Sequence, residues 1–247
     1  LEGWNIYAEG AMRTSNEKKT TSKIPVYSYD IDGNSYLRDS GYGTVSNVYD
    51  NRFRQNYYAV NVYTDYTRNF GLHNGKIMVG LNYERYDQDN LWGSGDKLTT
   101  TDKPFLSQAQ ENMKTGDGYW NRATAGYFAR LNYDYDGKYL AEFNIRYDGS
   151  SRFGKNNKWG LFPSVGLAWR VTEEDFLKDN SIITDLKIRG SYGVTGNQEI
   201  GNYKSLAQLS SGTKYGYSNG SILLPGYGES VGNPDLKWER TTPVSYT

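Results

Sequence analysis

Cysteine is absent from the 247 residues, and histidine occurs once. Neither a disulfide framework nor a thiolate metal site can be assembled from these residues, so no metal and no cofactor is expected. Charge of one sign is also missing: 28 Lys+Arg balance 28 Asp+Glu, which argues against nucleic acid as a partner. No apolar run approaches the roughly 20 residues of a membrane helix. That excludes a helical span and leaves a β-barrel open. Leu-rich or Ala-rich stretches of helical period are nearly absent as well. The chain opens on Leu1-Glu2-Gly3-Trp4, with no initiating Met and no signal peptide, and reads as a piece of a longer mature protein.

What is present is aromatic and glycine-rich. There are 24 tyrosines and 28 glycines, and aromatics reach 15%. Disordered chains share the low mean hydropathy of −0.80 but are poor in aromatics. Even alternation with many Tyr residues points instead to an all-β protein.

The alternation is clearest from Tyr139 to Trp169. Tyr139, Ala141, Phe143, Ile145 and Tyr147 fall on one face, opposite Leu140, Glu142, Asn144, Arg146 and Asp148. Trp159, Leu161, Pro163, Val165, Leu167 and Trp169 share a face in the next segment. A period of two makes each a strand, apolar in the middle of one face and aromatic at its ends. Pro163 cannot donate to a ladder, and a bulge is expected there.

Further strands read from Trp4 to Arg13, Arg54 to Arg68, Ile77 to Tyr83, Trp120 to Tyr135, Leu186 to Val194 and from Leu236 onward. Asp136-Gly137 supplies the positive φ angles of a tight hairpin. Ser15–Asn51 and Asp87–Gly118 read as long polar connections, the second with a helical turn or two between Lys103 and Lys114. Thr172-Glu173-Glu174-Asp175 has the spacing of a capping box, predicting a short helix through Lys178. Gly196–Pro234 reads as a Gly/Ser/Tyr-rich loop.

Short and long connections alternate, as in an antiparallel transmembrane barrel with short periplasmic turns and long outer loops. Trp159 to Trp169 spans about 33 Å at about 3.3 Å per residue. At a tilt of about 45° this projects to about 24 Å, close to the apolar band of such barrels. A soluble antiparallel sheet explains the alternation equally well, but explains the aromatic ends and segregated loops less well. On the barrel reading, the opposite face carries lumen-facing ligand-binding candidates: Glu142, Arg146, Asp148 and Arg189, with Lys187 beside them.

Asn132-Tyr133-Asp134-Tyr135-Asp136-Gly137-Lys138-Tyr139-Leu140, followed by Arg146-Tyr147-Asp148-Gly149-Ser150-Ser151-Arg152-Phe153-Gly154, resembles the SusC/RagA-like TonB-dependent transporters of Bacteroidota outer membranes. Ser191-Tyr192-Gly193-Val194-Thr195-Gly196-Asn197-Gln198 and Asn233-Pro234-Asp235-Leu236-Lys237-Trp238-Glu239 continue the likeness in order. It is specific from about Tyr119 to Arg240 and weak before Tyr119. The resemblance implies one barrel domain of 22 strands, of which residues 1–247 hold about eight. A plug and the C-terminal strands would lie outside them. It further implies a SusD-like lipoprotein and the TonB complex as partners, oligosaccharide or peptide as substrate, and outer-membrane lipid around the barrel.

Catalytic chemistry has little support. Asp148-Gly149-Ser150-Ser151 lacks nucleophile-elbow spacing and a histidine partner. Glu173-Glu174-Asp175 reads as acids at a helix start, and His73 as a turn residue. Gly193–Gly196 lacks the Lys-Ser/Thr of a phosphate loop. A non-enzymatic protein is expected. A scaffolding barrel subunit and a soluble carbohydrate-binding module are the remaining alternatives, and a surface hydrolase is a distant third.

Overall fold

The computed structural model describes residues 2–37, 45–177, 182–209, 214–217, 220–223 and 228–247. Eight strands form one sheet whose spatial order is their chain order. They are β1 (Trp4–Lys23), β2 (Asn47–Phe70), β3 (His73–Leu98), β4 (Ala109–Tyr135), β5 (Tyr139–Ser150), β6 (Trp159–Arg170), β7 (Lys187–Gly193) and β8 (Val244–Tyr246). Such a meander needs only local connections. The turns after β2 and β4 are tight, and Asp136 and Gly137 both take positive φ (52° and 66°), as their sequence requires. That hairpin sets the register of β4 on β5, from Tyr135 opposite Tyr139 to Thr124 opposite Ser150.

Residues 1–11, 58–85 and 122–247 form one compact unit. Its sheet is inverted relative to a soluble one. Across one row, Leu131, Phe143, Val165, Tyr192 and Val244 stand side by side. Phe143 is 48% exposed and Leu167 58%, and Ile77, Val79, Leu81 and Ile188 are exposed likewise. Rings close the two ends of this apolar face. Tyr139 stacks on Trp169 with centroids 6.4 Å apart at one end, and Tyr147 on Trp159 at 4.9 Å at the other. Exposed aliphatics bounded by aromatic rows are what a lipid-facing wall requires.

Pro163 sits in an unbroken ladder opposite Ile145, so the expected bulge is absent. The reason is geometric. The Pro163 carbonyl accepts from Val194 N at 2.9 Å, so its nitrogen faces the side where the β6–β7 ladder ends. No bond to β5 is lost.

Residues 12–57 and 86–121 form a second unit. Here the expected polar connections are largely strand, because β1 runs on to Lys23, β2 begins at Asn47, β3 runs on to Leu98 and β4 begins at Ala109. The helical turn is a 3-10 segment of three residues, Leu106–Gln108. Buried Val48 and Leu98, the Tyr49–Trp92 stack (5.9 Å) and the Tyr86–Trp120 stack (5.0 Å) anchor this unit. Arg54–Asp89 at 2.9 Å and Lys97–Glu111 at 2.6 Å pair across its strands.

Two further readings are corrected. The helix at Thr172 is only a 3-10 turn, Val171–Glu173, without a side-chain cap. The next residue, Glu174, is drawn away from a helical path, since its Oε1 accepts from the Tyr139 hydroxyl (2.5 Å) and from Trp169 Nε1 (3.0 Å). Residues 178–181 lie outside the described residues. The strand expected from Leu236 is two short pieces, Glu239–Thr241 and Val244–Tyr246, and the first pairs with Thr195–Asn197 rather than the main sheet. Within the expected loop, short ladders join Gln208–Leu209 to Gly228–Ser230 and Lys214–Tyr217 to Gly220–Leu223.

Candidate functional site

The face opposite the apolar one, in the first unit, carries the candidate residues. Glu142, Arg146 and Asp148 alternate along β5, and Arg189 follows Lys187 on β7 across β6. Two polar clusters form on β5. In the first, Glu142 accepts from Asn132 Nδ2 (2.8 Å) and Asn144 Nδ2 (2.7 Å), and Arg130 Nε donates to Asn144 Oδ1 (2.6 Å). In the second, Arg146 grips Asp148 with Nε (3.0 Å) and Nη2 (2.8 Å), and Nη2 also reaches Asn82 Oδ1 at 3.3 Å. Its guanidinium lies 5.8 Å from the Phe128 ring centroid. Gly126 is what lets the pair lie flat on β4: a Cβ there would collide with Asp148 Oδ1 and Asn82 Oδ1.

Arg189 belongs to neither cluster. It lines a groove of about 660 Å³ together with Lys187, Asn132, Glu142, Gly166 and Ala168. The structure therefore brings Glu142 and Arg189 to one groove and puts Arg146 and Asp148 in a separate pair. Further along the same face, buried Asp65 accepts from Asn5 Nδ2 (3.1 Å) and pairs with Lys76 (3.3 Å). Carboxylates on this wall are held by amides and cations, which preserves their charge and fixes their rotamers.

Beyond β5 and β6 the chain folds over the same face. Phe153, 2% exposed, and Phe162 both pack against Trp238, with centroids 5.3 and 5.2 Å away. Arg152, buried beside them, donates to the Gln198 carbonyl (2.8 Å) and Asn202 Oδ1 (3.2 Å) and pairs with Glu199 (3.3 Å). Trp238 Nε1 donates to the Lys158 carbonyl at 2.9 Å. The two serines of the Asp148–Ser151 stretch serve the backbone: Ser150 Oγ accepts from Arg152 N and Ser151 Oγ from Ala123 N. At the other end, Lys138 pairs with Asp136 (3.3 Å) and Glu174 (3.8 Å). The Tyr139 hydroxyl, then Trp169, hold the Glu174 carboxyl below its ordinary range, and Asp136 holds the Lys138 ammonium above its own. His73 Nδ1 lies 2.6 Å from the Tyr133 hydroxyl, and its ring stacks on Phe70.

The partners of Glu142 were within reach of the sequence: matching the apolar face of β4 to that of β5 across a three-residue Asp136-Gly137-Lys138 connection puts Asn132 opposite Glu142 and Arg130 opposite Asn144. The Phe153–Phe162–Trp238 cluster was not, because no periodicity links residues so far apart.

Comparison with known proteins gives this two-faced sheet its family. Residues 5–243 match the family described as TonB dependent receptor-like, beta-barrel. The TonB-dependent receptor SusC of Bacteroides thetaiotaomicron is 34% identical over 239 residues, covering 96% of this chain and 22% of that protein. TonB-dependent receptor P39 of Formosa agariphila is 38% identical over 165 residues, 66% of this chain and 15% of that protein. Among solved structures, the RagAB peptide transporter superposes with a TM-score of 0.84 over the whole of this chain and 26% of its own, at 24% identity, a likeness of fold. The chain thus spans about a fifth of the length of SusC. An apolar wall ringed by aromatics, a charged reverse face and these matches have one reading: the chain belongs to the TonB-dependent receptor β-barrel family and lies in the outer membrane of a Gram-negative bacterium.

Proposed function

We propose that the protein to which this chain belongs imports oligosaccharides or peptides across the outer membrane, driven by TonB and assisted by a SusD-like surface lipoprotein. On this reading, residues 1–247 are part of one barrel domain, about eight of 22 strands, and a plug and further strands lie elsewhere in the protein. The charged face of β5 to β7 lines the lumen, where Glu142, Arg146, Asp148 and Arg189 meet solute or plug. The work is binding and conduction, without covalent chemistry.

The observation that carries the proposal is the pairing of a hydrogen-bonded, charged inner wall with a lipid-facing outer wall in a chain 34% identical to SusC. The partner assignment draws on SusC and on the RagAB peptide transporter, two relatives of the same architecture.

Deleting the gene, and separately the host's TonB, should abolish growth on one oligosaccharide or peptide source while leaving growth on the monomers intact. Growth that survives both deletions on every such source would refute import.

A further inference from the structure

The groove along the inner wall is electrostatically unbalanced. Its carboxylates are already engaged. Glu142 holds two amide donors, and Asp134 Oδ1 accepts from Asn74 Nδ2 (3.2 Å) and Gly137 N (2.9 Å). The two cations on the other side are not. Lys187 and Arg189 project from the same face of β7, and among the described residues neither has a side-chain partner. Between the two sides runs β6, which presents Gly166 and Ala168 on this face, with Arg170 next along it opposite Lys187. These small residues leave the hollow, about 660 Å³, immediately beside the unpaired charges. A lysine and an arginine two residues apart, over a floor without bulk, form a receptor for a carboxylate.

We propose that this groove is an anion subsite, and that the solute crossing the barrel carries carboxylates. The inference rests on the import reading and narrows its substrate class. Lys187 supplies a mobile point charge, and Arg189 a planar fork that can hold both oxygens of one carboxylate. Elsewhere on the wall the charges are already paired, Asp148 with Arg146 and Asp65 with Lys76, and offer such a solute no free cation. The groove is therefore the place along β5 to β7 where it pauses.

Ser191 lines the same groove and offers a reporter. In the full-length receptor carrying Ser191→Cys, with the parent receptor as background, an anionic methanethiosulfonate should label the introduced thiol about tenfold faster than a cationic one. The preference should vanish in the Lys187→Gln/Arg189→Gln background. Protection by tetragalacturonate points to an acidic saccharide and protection by tetra-aspartate to an acidic peptide. Maltotetraose and tetra-alanine at the same concentration should protect little. Equal or faster labelling by the cationic reagent overturns the subsite. So does no labelling by either reagent, which would mean that the protein's own residues fill the groove. Import is scored separately by TonB-dependent growth. Growth on neutral oligomers, with no anion preference at the introduced thiol, would defeat this inference and leave the import reading standing.

Discussion

Arg146 and Asp148 lie two residues apart on one face of β5 and meet through two parallel hydrogen bonds, 3.0 and 2.8 Å long. Neighbours on the same face of a strand seldom join so closely, and here the side chains lean together over the bare backbone of Gly126. Both are partly open to solvent, which bounds the pair's contribution. A double-mutant cycle with Arg146→Ala and Asp148→Ala should give a coupling of about 0.5–1 kcal/mol in urea unfolding of the lipid-inserted receptor. Arg146→Lys, which keeps the charge and loses the fork, should retain less than half of it.

Phe143 stands in the middle row of the apolar face. Phe143→Arg should cost about 2–4 kcal/mol, the depth-dependent penalty for a cation at the bilayer midplane. The loss would appear as a lower temperature of heat-modified migration in SDS gels. Ser191→Arg, on the other face one strand beyond β6, should leave that temperature unchanged. Equal losses at both positions would contradict the assignment of lipid and lumen faces.

The aromatic cluster of Phe153, Phe162 and Trp238 locks the loop after β5. Phe153→Ala removes a buried ring, a change that costs about 3–5 kcal/mol where the surroundings cannot collapse. Since Phe153 and Trp238 lie outside the eight-stranded sheet and only Phe162 belongs to it, the loss should be local. Trypsin should cut faster at Arg152, Lys155 and Lys158 in Phe153→Ala and Trp238→Ala receptors, while the barrel keeps its gel mobility.

Glu174 ties the turn after β6 to the rings at the ends of β5 and β6. Its folded-state carboxyl titrates below the ordinary value of about 4.3, because the Tyr139 hydroxyl and Trp169 Nε1 donate to the ionised form. A lowered folded value means that its contribution is complete above the unfolded value and is lost as pH falls through the folded one. Amide exchange in residues 170–177 should therefore be slower in wild type than in Glu174→Gln near neutral pH, and the two should converge as pH falls through the folded value.

Much of this was legible from local pattern. The faces of β5 and β6 follow from strict alternation, and the β4–β5 register from matching apolar faces across the Asp136-Gly137-Lys138 turn. The polar ends of β1 and β2 were not legible. Thr14–Lys23 has no apolar face, and such a strand is held by ladder bonds and partners such as Asn56 and Asp50 that sequence does not disclose. At Thr172 a correct capping pattern lost to tertiary structure, because Glu174, between the cap and its acid Asp175, is bound by Tyr139 and Trp169 and holds the backbone there extended. The site was half legible: alternation placed Glu142, Arg146, Asp148 and Arg189 on one face. Separating the satisfied charges from the unsatisfied ones required the three-dimensional partners.

Thr195–Asn197 pairs with Glu239–Thr241 and Trp238 is fastened to Lys158, so the span between Asn197 and Trp238 leaves and re-enters the protein through a clamped neck. Its described ends are tied back as well: Arg152 holds Gln198, Glu199 and Asn202, and Asn157 Nδ2 donates to the Pro234 carbonyl. A sequence change between those ties leaves every rung of the β5–β6 ladder in place.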